Sequence, residues 1–262
     1  MNQARQTVKR AIIMGATSGI GEEVFRLMLK DEDCFIGIAG RRTDRLEALK
    51  ALAPHRVAYE TIDVCHPEAT LGLQRLIGKV GGMDVYFHAS GIGKVNRELT
   101  EFIETSTVET NVCGFTRMVG EAFRYMAAHD GGHIAAVTSV AGTKGIGIAS
   151  SYSSSKAFQQ AYLQALEQLA HVRRLPIRFT DIRPGFVATA FLDGSRPYPL
   201  MMKPADVAAS IMRAVGKQEH VRVIDARWRI LAACWRRLPK WLWRRLPVDM
   251  PPGAGSRQAE SR

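Results

Sequence analysis

No apolar run in this chain approaches the ~18 residues a helix needs to cross a bilayer, so a membrane-spanning protein is not expected. The four cysteines, Cys34, Cys65, Cys113 and Cys234, lie far apart and form no C-x-x-C or Cys/His pairing. That argues against zinc, so no metal site is expected, and thiols in a reduced cytoplasm fit better than disulfides. The opening residues lead straight into a short apolar strand with no signal-peptide core, which again points to the cytoplasm. No Pro/Ser-rich or charged linker divides the 262 residues, and a hydrophobic content of 46% can bury the core of one α/β domain. Acids are missing from one stretch in particular. Between Arg227 and Arg245 stand seven Arg and Lys residues and no Asp or Glu, so most of the net charge of +11 belongs to the tail.

What is present is an alternation. Short apolar segments at 9–14, 34–39, 57–62, 83–87, 133–138 and 176–182 read as strands, each followed by a helical pattern. Six such units predict a doubly wound parallel sheet of the Rossmann type. Ligands bind such sheets at the carboxyl ends of the strands, and the chemically suggestive residues fall there.

After the first strand comes Gly15-Ala16-Thr17-Ser18-Gly19-Ile20-Gly21, then a helix. Glycines at a strand-to-helix turn allow a tight bend and let a phosphate approach the helix N-terminus. After the second strand, an acid would bind the ribose hydroxyls of NAD, whereas a basic residue accommodates the 2′-phosphate of NADP. Gly40 holds the acid's place and Arg41 and Arg42 follow, so NADP(H) is expected over NAD(H), with one arginine left to start a solvated helix. Asp63, with Val64 beside it, either accepts from an adenine amino group or caps the turn before the next helix. Ala89, Ser90 and Gly91 after the fourth strand form a further place for a cofactor to pass close to the backbone.

Ser139 closes the fifth strand, and Tyr152 and Lys156 stand one turn apart on the following helix. A phenol ionises near pH ~10, and a neighbouring ammonium is expected to draw that value down towards the working range. Hydroxyl, phenol and cation converging on one point suit a carbonyl that gains or loses hydride. Asn111, a poor interior helix residue, sits mid-way along a helix predicted over 98–129 and either faces water or has a specific task.

Over roughly residues 8–225 the chain resembles the classical short-chain dehydrogenase/reductase family. Gly15-x-x-x-Gly19-x-Gly21 looks like its cofactor turn, Asp63 like its adenine-binding acid, and Pro184, Gly185, Val187 and Thr189 like its nicotinamide loop. The resemblance implies that Tyr152 is the general acid in reduction and that Ser139 holds the carbonyl oxygen. It further implies that Lys156 binds the nicotinamide ribose while lowering the tyrosine pKa, and that Asn111 positions a water in a proton relay. It implies a homodimer or homotetramer paired through the helices around Asn111 and after Tyr152. Two departures stand out: Met14 where the family usually has Thr, and His88-Ala89-Ser90-Gly91 where it usually has Asn-Asn-Ala-Gly. His88 either touches the adenosine side or is packed.

The resemblance places a catalytic domain at 1–225 with a substrate lid at about 186–203, whose Phe191, Leu192, Tyr198, Leu200, Met201 and Met202 suit an apolar carbonyl or alcohol. A basic, Trp-rich extension follows at 226–250, then a tail at 251–262 expected to be disordered. In the extension Trp228, Leu231, Trp235 and Leu238 share one helix face and Arg229, Arg236 and Arg237 the other. That arrangement suits a helix lying in a membrane interface, here 227–246 at the inner face of a membrane. Docking on the enzyme or a second subunit is the alternative; nucleic acid is not expected, since no binding module is recognisable. The sequence therefore predicts an NADP(H)-dependent oxidoreductase for a hydrophobic, lipid-like ketone such as 3-ketosphinganine or a β-ketoacyl chain. A non-catalytic NADP-binding sensor at membranes is the rival.

Overall fold

The structure is a computed structural model that describes residues 10–192 and 198–249. The expected disordered tail and the middle of the expected lid lie outside the described residues. Seven parallel strands form one sheet in the order β3-β2-β1-β4-β5-β6-β7. They are β1 (Arg10–Met14), β2 (Phe35–Gly40), β3 (Val57–Thr61), β4 (Val85–His88), β5 (Gly132–Val137), β6 (Ile177–Pro184) and β7 (Val221–Ile224). The doubly wound sheet expected from the sequence is therefore present, with one strand more. β7 is a four-residue edge strand paired with β6 from Asp181↔Val221 to Pro184↔Ile224, too short for its periodicity to stand out.

Successive side chains of a strand point to opposite faces, so each strand feeds two cores. Ala11 and Ile13 of β1 join one, Ile12 and Met14 the other. The first core is covered by α1 (Gly19–Met28), α2 (Thr43–Lys50), α7 (Pro204–Gly216) and α8 (Ala226–Arg237). The second is covered by α3 (Ala69–Val80), α5 (Phe115–Ala128) and α6 (Ser150–Val172). α4 (Glu101–Val108) precedes α5, and α9 (Lys240–Trp243) closes the described chain. Met14, in the family's threonine position, is fully buried among apolar side chains and keeps its main-chain link through the Ala89 amide, 2.8 Å from its carbonyl.

The helix expected over 98–129 is not continuous. A wide π turn, Glu109–Gly114, separates α4 from α5. Such turns break the regular helical ladder and recur at functional sites. This one carries Asn111, and its side chain faces the interior at 0% exposure, not water.

Candidate active site

The strand order reverses between β1 and β4, the crevice where doubly wound sheets bind ligands. A cleft of about 950 Å³ opens there, and every expected cofactor and catalytic residue except Asn111 lines it.

At one end the glycine turn packs tightly on the protein's own backbone, where side chains would not fit. Gly15 has φ +89°, and a Cβ there would lie 2.7 Å from the Ser90 amide nitrogen. A Cβ on Gly21 would collide with the Gly15 carbonyl. Ser18 stands at the N-cap of α1 without using its side chain as a cap, so the first amides of α1 face the cleft as a ready anion site. These features fit the pyrophosphate of a dinucleotide.

The two arginines divide their work. Arg42 turns back onto the glycine turn, donating to the Thr17 hydroxyl at 2.9 Å and the Thr17 carbonyl at 3.0 Å. Arg41 is exposed at the cleft and makes no hydrogen bond or ion pair with the described residues. Asp63 lines the cleft and also accepts from the Cys65 amide at 3.0 Å. It closes a local turn and leaves the N-cap of α3 to Glu68. His88 does not reach the cleft. It is fully buried, with Nδ1 2.9 Å from the Tyr86 hydroxyl, the Phe115 ring edge-on, and Nε2 unpartnered among the described residues. Burial lowers its pKa to about 3, so the ring is neutral.

At the other end stand Ser139, Tyr152 and Lys156. Ser139 leads a short 3₁₀ turn after β5; its Oγ accepts from the Ala141 amide at 3.1 Å and donates weakly to the Pro184 carbonyl at 3.4 Å. The Tyr152 ring packs flat against Gly93, where any side chain would overlap it. Lys156 Nζ lies 5.8 Å from the centre of that ring. It donates to the Val137 carbonyl at 3.0 Å and the Gln159 Oε1 at 2.9 Å.

The electrostatics differ from the expectation. Burial pushes the Tyr152 phenol above its ordinary value, and the opposing pull comes from the Ser139 hydroxyl, not from Lys156. The reason lies in the lysine itself: burial lowers Lys156 to about 7, with distant Asp181 pulling the other way. An ammonium already engaged by two carbonyl oxygens is a weakened source of positive field at the tyrosine.

Asn111 stands behind this trio. Its Oδ1 accepts from the Ile92 amide at 2.9 Å, and its Nδ2 donates to the Ile92 carbonyl at 2.7 Å and to Ser155 Oγ at 3.0 Å. The side chain pins the loop after β4, and the main-chain carbonyl accepts from Gln159 Nε2 at 2.9 Å.

The tail follows the docking alternative and supplies a wall of the cleft that the sequence did not reveal. Trp228 is buried, its indole flush on Gly185 and its Nε1 donating to the Leu200 carbonyl at 3.1 Å. Aromatic contacts continue outward from Phe186 to Trp228 (5.5 Å between ring centres), Trp235 (6.4 Å) and Trp243 (5.6 Å). Trp243 Nε1 donates to the Gly145 carbonyl at 2.7 Å, and Lys144 Nζ to the Leu238 carbonyl at 3.0 Å. The apolar face that suggested a membrane interface is thus spent on the enzyme, and Trp228 and Trp235 wall the cleft. The spacing of those residues was visible in the sequence; their partner was not. Gln159 had a visible signal too, since 152, 156 and 159 share a helix face.

A family model described as short chain dehydrogenase matches residues 9–198, well over half of the chain. The chain belongs to the short-chain dehydrogenase family. As a member it is an oxidoreductase that binds NAD(P) and acts on CH–OH groups. Among its relatives is an uncharacterized oxidoreductase of Myxococcus xanthus strain DK1622, 29% identical over 78% of this chain and 82% of that protein. Another, from Staphylococcus aureus strain N315, is 27% identical over 83% of this chain and 95% of its own length. Two solved serine dehydrogenase structures share the fold. One, a closed form complexed with NADP+, has a TM-score of 0.70 at 23% identity and covers 78% of this chain and 88% of its own. The other, from Escherichia coli, has a TM-score of 0.69 at 23% identity, covering 82% and 95%.

Proposed function

We propose that this family member is an NADP(H)-dependent carbonyl reductase or alcohol dehydrogenase for an apolar, lipid-like substrate. The observation that carries this reading is the two-ended cleft. A tight glycine turn and a helix N-terminus mark one end, and Ser139, Tyr152 and Lys156 the other, beside an aromatic wall.

A dinucleotide held by the glycine turn and the α1 N-terminus would supply or accept the hydride. The chain's residues do the rest. Tyr152 gives the substrate oxygen its proton in reduction and removes it in oxidation. Its raised pKa keeps the phenol protonated at neutral pH, the state an acid needs. Ser139 Oγ, exchanging its weak bond to the Pro184 carbonyl for the substrate oxygen, orients the carbonyl. Lys156 has three protons and spends two on Val137 and Gln159, which leaves one for the cleft. Arg41, exposed at the cleft next to Gly40, which holds the place where NAD-selective folds carry an acid, supports NADP(H).

Phe186, Phe191, Trp228 and Trp235 exclude water from the substrate end and offer an apolar chain a surface. The extension from Ala226 onward then belongs to the substrate site. Purified protein with NADPH and a panel of ketones graded in chain length tests the reading. Turnover rising with chain length is expected; tight NADPH binding without turnover on any ketone favours the sensor reading.

A second reading concerns the outer face of the docked tail. Among the described residues Ile230 and Trp241 are 66% and 60% exposed. Around them Arg229, Arg236, Arg237, Arg244 and Arg245 are exposed as well. This face supports association with an anionic membrane surface, and no described helix is long and apolar enough to cross one. Loss of binding to anionic liposomes on charge removal at Arg236 and Arg237 tests it. Exposed Phe102 and Val108 on α4, with Leu169 and Val172 on α6, support the expected homo-oligomer, which sedimentation checks.

A further inference from the structure

Gln159 is fully buried on α6, seven residues after Tyr152 and three after Lys156. A buried amide is costly unless both its ends are bonded, and here both are. Oε1 accepts from Lys156 Nζ at 2.9 Å and Nε2 donates to the Asn111 carbonyl at 2.9 Å. Chemistry fixes the amide's orientation: an ammonium only donates and a carbonyl only accepts, so the flipped amide would face like groups at both ends. The acceptor on Asn111 belongs to the π turn, where the regular helical ladder is interrupted. The same asparagine holds the loop after β4 through Ile92.

We infer that Gln159 is a positioning residue of the reaction: its amide is a fixed strut between the π turn at Asn111 and the Lys156 ammonium, holding that ammonium charged and facing the Tyr152 end of the cleft. The inference rests on the reading of this cleft as the reaction site.

The surroundings leave the task to Gln159. Facing Lys156 are Tyr152 on its own helix, neutral His88 at the end of β4, Asp181 on β6, and the Val137 carbonyl at the end of β5. Asp181, the one carboxylate among them, is engaged elsewhere, accepting from Thr138 Oγ1 at 2.6 Å and from Arg183 at 2.6 Å. The Asn111 side chain is taken by Ile92 and Ser155. Among the described residues, Gln159 and the Val137 carbonyl are therefore the two polar groups hydrogen-bonded to a lysine that burial lowers to about 7.

The test is a pair of substitutions with opposite expected signs, read in the intact protein. In Gln159→Leu the ammonium loses an acceptor, so the fall of kcat/KM with rising pH is expected about one pH unit earlier. Its kcat should drop about tenfold, with KM for the ketone within about twofold. In Gln159→Glu the acceptor becomes a carboxylate, and the same limb is expected to move to higher pH. NADPH binding is titrated by fluorescence over the same pH range, and thermal unfolding shows that both variants are folded. Limbs displaced in opposite directions support the inference, and they remain readable in the glutamate variant if the leucine variant misfolds. Lower activity with unmoved limbs, or limbs moved the same way, overturns it while leaving the reaction site standing. Absence of NADPH binding by the unmodified protein overturns the reaction-site reading and the inference together.

Discussion

Helices α6 and α8 both reach the cleft, by opposite physical routes. α6 lines the cleft with Tyr152 and Lys156 and seats Gln159 behind them by helical repeat alone: once a helix forms over Ser150–Val172, those three share a face. α8 presents Trp228 and Trp235 by an equally regular repeat, yet its apolar face suits lipid, a second subunit or the enzyme equally well. What decides the matter is Gly185, whose bare backbone receives the Trp228 indole. Spacing along a helix fixes which residues stand together. It does not fix what they stand against.

The comparison can be broken first at α6. Tyr152→Phe is expected to lower kcat about 10²- to 10⁴-fold, the usual worth of a general acid, with NADPH affinity nearly unchanged. Steady-state kinetics beside a fluorescence titration measure both, and unchanged turnover would remove the catalytic half of the contrast. At α8 the sensitive quantity is stability. Trp228→Ala removes a buried indole and is expected to cost about 3–5 kcal/mol, whereas a merely solvated tail would give less than about 0.5 kcal/mol; urea unfolding distinguishes the two.

Smaller effects sharpen the picture. Arg41→Ala is expected to weaken NADPH about tenfold, close to the ~1.4 kcal/mol of one charge-assisted bond, and to leave NADH unchanged. Equal losses for both cofactors would remove the 2′-phosphate assignment. pH should separate the two helices as well. Lys156, lowered to about 7, loses its charge as pH rises through that value. Its attraction for a polyanionic cofactor is therefore full below about 7 and fades above it, so NADPH binding should weaken a few-fold between about pH 6 and about pH 9. Trp228, Trp235 and Trp243 carry no titrating group, so their fluorescence should stay constant over that range. Last, Trp241→Ala on the exposed face should change stability by no more than about 0.5 kcal/mol, and a larger loss would mean that this residue also docks.

Much of the site was legible because its residues sit where local rules put them. Gly15, Gly19 and Gly21 follow a strand and open a helix, and Gly40 ends β2 where an acid would stand, with Arg41 next to it. Their positions needed only strand periodicity and the rule that parallel sheets bind at carboxyl ends. Less legible was anything set by a neighbour distant in sequence. The π turn at Asn111 cannot be read from a helical pattern, and β7 is too short to show one. The direction of the Tyr152 shift was also misjudged from sequence, since burial outweighs the lysine's field once the fold closes around both groups.

The sequence by itself determined six of the seven strands, the glycine turn after β1 and the Ser139, Tyr152 and Lys156 set, because hydrophobic period and helix spacing are local properties of the chain. Only the tertiary structure decided that Gln159 bridges Lys156 to Asn111 and that the tryptophans of α8 wall the cleft. Gln159 and Asn111 are 48 positions apart, and the next helix, α9, ties Trp243 to Gly145 across 98. No pattern along the chain specifies which surface a spare amide or an apolar helix face will meet; close packing in three dimensions does.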